Sequence, residues 1–142
     1  MNRRLFVYGS LRSDAAGYPV AEQGAPWRAR LSGAARRIGS GDVAGELYAV
    51  DWYPALVLNR GTRARVRGEL WEMRAPDRLL AELDPYEGDD YARSEQLVRL
   101  DTGRTFSAWV WAWTVPLVGA PRIDSGDYCE WAASVGPAAS ST

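Results

Sequence analysis

"ARSEQLVRLDTGRTFSAWVWAWT", residues 92–114, sets two runs of strand-forming residues around Asp101-Thr102-Gly103. A short turn rich in Asp and Gly between two such runs predicts an antiparallel hairpin. In the second run Phe106, Ala108, Val110 and Ala112 alternate with Ser107, Trp109, Trp111 and Trp113. Tryptophans on one face and small apolar residues on the other predict that both faces of this strand are covered. The rival reading is a base-stacking platform, but such platforms accompany a basic groove. The chain balances 17 Lys+Arg against 18 Asp+Glu for a net charge of −1, so no nucleic-acid partner is expected.

Upstream of the hairpin, "APDRLLAELD" at residues 75–84 has Pro76 at a first-turn position and Leu79, Leu80 and Leu83 at helical spacing. This predicts a helix, ended by Pro85. Between residues 29 and 73 four further strands are expected: "ARLSGAARRI", "VAGELYAV", "YPALVL" and "ARVRGELWEM", with Asn59-Arg60-Gly61 as a hairpin turn between the last two. Two of these strands share V-x-G-E-L followed by an aromatic residue. Strands in similar surroundings, each with a glycine permitting a bulge or tight curvature, account for that likeness without a duplication.

"LFVY" at residues 5–8 reads as a short buried strand. Residues 12–27 contain Gly17, Pro19, Gly24 and Pro26 without clear periodicity, so a loop with at most a short helix is expected there. Near the end, "SGDYCEW" offers Ser125 as the cap of one amphipathic turn, in which Cys129 reads as a small buried hydrophobe. Many antiparallel strands, one helix between them and no βαβ alternation predict an α+β, mainly β fold. The expected form is a compact antiparallel β-barrel-like sheet with flanking short helices. Residues 1–133 form one domain in this reading, and the small polar residues 134–142 a disordered tail.

Composition narrows the chemistry by subtraction. Without histidine there is no Ser-His-Asp triad and no Cys-His pair, and a single cysteine makes no internal disulfide. The same shortage disfavours zinc, and the basic residues are all arginine, which removes a Schiff-base lysine. Acid–base work is left to carboxylates and tyrosines, with no metal or cofactor expected. The apolar part of the start is only Leu5 to Tyr8, short of the roughly 7–15 residues of a signal peptide, and no run approaches the roughly 20 of a membrane span. A cytoplasmic protein with no membrane partner is expected, and the sequence leaves its oligomeric state open.

Two segments stand out as carriers of chemistry. After the first strand, Tyr8-Gly9-Ser10-Leu11 is either plain strand-to-turn punctuation or a place where the N–H groups of Gly9, Ser10 and Leu11 converge on a carboxylate or phosphate. In "ELDPYEGDDYAR", Glu87 lies on a loop between Tyr86 and Tyr91, either as part of a solvated acidic turn or as a partly desolvated acid–base group. Glu46 and Glu69 are the rival carboxylates, and strand glutamates of this kind are expected to face outward or to pair with arginine.

Taken in order, "FVYGSL", "YPALV", "VRGELWEM", "LDPYEGDDYAR" and "AWVW", followed by "IDSGDY", resemble the γ-glutamylcyclotransferase-like family over about residues 4 to 131. The nearest branch is the γ-glutamylamine cyclotransferase-like one. The resemblance implies a barrel-like fold with a cavity at one mouth and a small-molecule γ-glutamyl substrate. It implies that Tyr8, Gly9, Ser10 and Leu11 form the substrate loop, holding the α-carboxylate mainly through main-chain N–H groups. It places the catalytic glutamate on Glu87 and lines the same pocket with Tyr91. Ser10 stands where this branch often has threonine, a change that a backbone-based site tolerates. The implied reaction cyclises the γ-glutamyl group to 5-oxoproline and releases an amine or amino acid. A non-catalytic binder of small carboxylates on the same fold is the alternative.

Overall fold

The computed structural model describes residues 2–59 and 61–135. β1 (Arg4–Val7) is buried on both faces: Phe6 points into the barrel and Leu5 and Val7 outward onto a helical layer. Two 3-10 segments, Ser13–Ala15 and Pro19–Gly24, lead into α1 (Ala25–Ala34). Then come β2 (Ala35–Ala49), β3 (Pro54–Leu58), β4 (Arg65–Met73), α2 (Pro76–Glu87), β5 (Tyr91–Leu100), β6 (Thr105–Trp113), β7 (Arg122–Ile123) and α3 (Tyr128–Val135).

Five strands in the order β2-β4-β1-β6-β5 close into a barrel because β5 pairs back onto β2, Gly41 opposite Leu100 and Asp42 opposite Arg99. The pairings are antiparallel except β1 with β6, which run parallel with Leu5 opposite Trp109. Closing so small a barrel brings backbones together at two glycines that face each other, Gly41 on β2 and Gly68 on β4. A Cβ on Gly41 would stand 2.5 Å from the Arg99 carbonyl oxygen, and one on Gly68 2.3 Å from that of Val7, so neither position admits a side chain.

The barrel interior holds Phe6, Val43, Leu70, Val98 and Val110, with α3 contributing Tyr128 and Ala132. A second apolar layer lies outside, where Leu31 of α1 and Leu79, Leu80 and Leu83 of α2 cover Leu5, Val7, Trp71, Met73 and Trp111. The expected mainly-β barrel with flanking short helices is present, and the 92–114 hairpin forms as read, with Leu100 and Arg104 bonded across its turn (2.8 Å).

Several expectations of detail are corrected. Residues 29–34 are helix rather than strand: Pro26 suits the first turn and Ala, Arg and Leu are good helix formers, but only Leu31 is buried, so no apolar stripe betrays the helix. The strands expected at residues 35–38 and 43–50 are one strand, β2, which runs through Gly39-Ser40-Gly41 by way of a register shift between Arg37 and Gly39. β3 pairs with β2, Glu46 opposite Val57, so residues 59–61 join β3 to β4 without making them a hairpin. The cap of α3 is Asp127, whose Oδ1 accepts from the N–H groups of Cys129 (3.0 Å) and Glu130 (3.3 Å), while Ser125 Oγ accepts from Asp127 N–H. α3 includes Ser134 and Val135, and the rest of the expected tail, 136–142, lies outside the described residues. Among the described residues no helix is long and apolar enough to cross a membrane.

Candidate functional site

α2 does not stop at Pro85. The proline falls in the last turn, where its missing N–H costs one bond to the preceding turn, and the helix ends two residues later on Glu87. Gly88 at φ +88° makes the exit, its N–H bonded to the Asp84 carbonyl at 3.0 Å. Glu87 therefore sits on a rigid helix end rather than on a loop. Leu79, Leu80 and Leu83 anchor that end, and Asp84 pins it by accepting from Trp111 Nε1 (2.7 Å) and from Arg93 Nε (3.1 Å).

The chain leaving β1 comes to the same place. Gly9 passes so close to Pro54 that a Cβ would lie 2.9 Å from the proline ring. The Gly9 carbonyl accepts from Arg12 N–H (3.0 Å) and the Ser10 carbonyl from Arg28 Nη1 (2.5 Å). Among the described residues no acceptor is found for the N–H groups of Gly9, Ser10 or Leu11. Three adjacent donors without internal partners form the kind of concavity that binds anions.

Residues 12–14, just beyond this donor loop, are held tightly. Ser13 donates through N–H (2.7 Å) and Oγ (2.5 Å) to Glu69, and Arg12, itself buried, pairs with Asp14 (2.7 Å) and Asp127 (2.9 Å). The ion pairs hold the Arg12 guanidinium fully charged despite its burial and keep the Asp14 carboxyl below its ordinary range. Cys129 Sγ donates to Asp14 at 3.4 Å, and burial pushes its thiol up to about 12, so it is inert.

Glu87 and the Tyr8–Leu11 segment line one cavity of about 250 Å³, together with Tyr86, Tyr91, Trp113 and the rim residues Trp52, Tyr53 and Pro54. Tyr8 donates to the Trp111 carbonyl (2.6 Å), Tyr91 to that of Pro54 (2.5 Å), and Tyr91 meets Trp113 edge-to-face with ring centres 5.1 Å apart. Tyr86 shares a hydrogen bond with Ser10 Oγ (2.9 Å), tying the end of α2 to the donor loop. Among the described residues no hydrogen-bond donor or cation meets the Glu87 carboxyl. Burial, reinforced by the negative charge of Asp84, pushes its pKa from 4.5 up to about 8. Burial also raises Tyr86 to about 12 and holds Tyr8 and Tyr91 well above the ordinary tyrosine range, so all three remain neutral hydroxyls.

The residues singled out from sequence thus meet: Tyr8, Gly9, Ser10, Leu11, Glu87 and Tyr91 all line this cavity. The rivals do not. Glu69 is buried against Ser13, Arg37 and Trp71, and Glu46 bonds Tyr48 (3.3 Å) and pairs loosely with Arg122 (3.8 Å). Sequence reasoning missed Trp113, assigned only to a covered face, and the rim at Trp52. The dense aromatic run "DWYP" after β2 was the available signal. Among the described residues no cluster of His, Cys, Asp or Glu is arranged to hold a metal ion.

Comparisons with known proteins point the same way. The sequence matches the family described as "Gamma-glutamyl cyclotransferase, AIG2-like" over residues 5–130. It is 34% identical over 130 residues to the Gamma-glutamylcyclotransferase family protein YtfP of Escherichia coli (strain K12), covering 89% of this chain and 96% of that protein. An uncharacterized protein of Pyrococcus horikoshii superposes with a TM-score of 0.63 at 26% identity, over 92% of this chain and 93% of the other. An AIG2-like protein of Mus musculus shares the fold at 22% identity with a TM-score of 0.67, covering 88% of each chain.

Proposed function

We propose, from the premise that this chain belongs to the gamma-glutamyl cyclotransferase, AIG2-like family, that it cyclises a γ-glutamyl group to 5-oxoproline and releases the attached amine. The observation that carries the proposal is the Glu87 carboxyl, raised to about 8 and unpaired among the described residues, in the same cavity as three main-chain N–H groups that find no acceptor among them.

The substrate's α-carboxylate accepts from the N–H groups of residues 9–11, which fixes the γ-glutamyl chain in a folded pose. Its α-amine then lies within reach of its own γ-carbonyl, and this is where most of the rate advantage arises, because nucleophile and electrophile already share one molecule. Glu87 as carboxylate takes a proton from the α-ammonium, and the freed amine forms the N–C bond of a five-membered ring. Glu87 as acid returns that proton to the leaving nitrogen as the original C–N bond breaks. After ring closure the ring nitrogen sheds a second proton, which leaves on the released amine as its ammonium ion, so atoms and charge balance with no added reactant. A group titrating near 8 suits this double role, since α-ammonium groups release their protons at about 8 and above, making the transfer nearly even in energy.

The mouth bears on the leaving group. Asp89 and Asp90 line it and, among the described residues, no arginine does, which disfavours a leaving group carrying its own carboxylate. γ-Glutamyl amines are therefore the expected substrates, ahead of γ-glutamyl amino acids. The test is 5-oxoproline release from a panel of both kinds by wild type and Glu87→Gln side by side. Release that falls at least ~100-fold in the variant, the scale of lost acid–base catalysis, is expected. Equal release by both would move catalysis off Glu87. Binding of small carboxylates with no release across the panel would favour a non-catalytic binding protein.

A further inference from the structure

We infer that Arg28, which does not line the cavity, sets the direction of the main-chain donor at Leu11 and supplies the positive charge behind the carboxylate subsite. The inference rests on the proposed role of residues 9–11 in holding a carboxylate. Arg28 lies in the first half of α1, and its Nη1 donates to the Ser10 carbonyl at 2.5 Å. In a trans peptide unit the carbonyl and the following N–H point in opposite directions. A guanidinium that holds the Ser10 carbonyl on the outer side therefore turns the Leu11 N–H the other way, and Leu11 is a cavity residue. The preceding peptide is tethered by the same logic: the Gly9 carbonyl accepts from Arg12 N–H at 3.0 Å, which orients the N–H of Ser10. Two consecutive donors are thus aimed by bonds made on their own carbonyls.

The second observation concerns charge. Arg12, Arg37, Arg65, Arg67 and Arg93 each pair with a carboxylate, but among the described residues none lies within ion-pair distance of Arg28. Arg28 is half-buried, so its charge is only partly screened by water. Its bond to Ser10 polarises the peptide that carries the Leu11 donor and places a cation behind a loop whose own donors are neutral. A carboxylate at that loop would supply the missing counter-charge. Arg28 acts through Ser10 without touching substrate, and is therefore a positioning residue.

The test uses the 15N-labelled full chain as wild type, Arg28→Met and Arg28→Lys, each titrated with 5-oxoproline and assayed on the γ-glutamyl compound that wild type turns over fastest. Circular dichroism and thermal melting establish that each variant is folded. In wild type, 5-oxoproline is expected to shift the amide signals of Ser10 and Leu11. Arg28→Met is expected to weaken that binding about tenfold and to raise KM by a similar factor while kcat stays within about threefold, the scale of one charge-assisted hydrogen bond. Arg28→Lys keeps the charge without the planar fork and should fall between the two.

A folded Arg28→Met with wild-type binding and KM overturns the inference, as does a loss confined to kcat. If Arg28→Met does not fold, the lysine variant decides, and wild-type binding and KM in it overturn the orienting role. Wild type that releases 5-oxoproline while the amides of residues 9–11 stay unmoved overturns the inference but leaves the catalytic reading standing. Wild type that does neither overturns the reading of the site, and the inference with it.

Discussion

Glu69 and Glu87 are both glutamates held back from water, and the fold treats them oppositely. Glu69, in the middle of β4, meets four donors: Ser13 N–H and Oγ, Arg37 Nε (3.0 Å) and Trp71 Nε1 (3.2 Å). Glu87, at the end of α2, meets none among the described residues and is flanked by the like charge of Asp84 and by aromatic rings. A carboxylate whose oxygens are all satisfied is a structural part, bracing the segment after the donor loop against the barrel wall. A half-buried carboxyl left without protein partners in an aromatic cavity raises the energy of its charged form, and a ligand brings in the group that relieves it.

The comparison breaks first at Glu69. Glu69→Ala leaves Ser13 N–H and the buried Trp71 Nε1 without their acceptor at a site closed to water, and a loss of about 3 kcal/mol in stability is expected by urea denaturation, because buried donors that lose their partner are not repaid by solvent. Activity assayed well below the melting temperature should survive within about tenfold. A variant as stable as wild type would remove the structural half of the contrast.

The next effect is a pH dependence of stability. Unfolded, Glu87 ionises near its ordinary 4.5, whereas folded it ionises near about 8. Between those values the native state keeps a proton that the unfolded state has released, so this group's contribution falls as pH rises through the window. Its size is on the order of 2 kcal/mol after allowing for partial exposure. Denaturation at pH 5 and pH 8.5 should therefore show Glu87→Gln losing less stability than wild type over that interval. Parallel losses would place Glu87 in an ordinary solvated environment.

The smallest effect is expected at Tyr86, whose hydroxyl joins α2 to Ser10 at 2.9 Å. Tyr86→Phe should cost about 1 kcal/mol in stability and raise KM a few-fold. An unchanged KM would mean that the donor loop holds its shape without that tie.

How much of this was written in the sequence depends on the physics of each part. The 92–114 hairpin and the α2 stripe were legible because periodicity and turn chemistry are local, whereas for the Tyr8–Leu11 and Glu87 segments the residues left a bland and a functional reading open and only the family resemblance favoured the second. α1 was not, since Leu31 is its only buried side chain and the helix leaves no apolar stripe. The continuity of β2 through Gly39-Ser40-Gly41 was hidden because those residues signal a break locally and serve the closing seam only in three dimensions. Pro85 misled for a related reason: the packing of Leu83 and the anchoring of Asp84 carry the helix past it, which moves Glu87 from a loop to a helix end. Arg28 carries no motif at all, because its importance lies in one bond to a residue 18 positions away.

The central claim is that Glu87 is an unpaired, proton-holding carboxyl at neutral pH. The most direct test is a pH titration of its side-chain carboxyl by 13C NMR, assigned by comparison with Glu87→Gln. A midpoint near about 8 is predicted. A midpoint near the ordinary 4.5 would contradict the account, because the carboxylate would then be too weak a base to take a proton from an α-ammonium that releases it at about 8 and above.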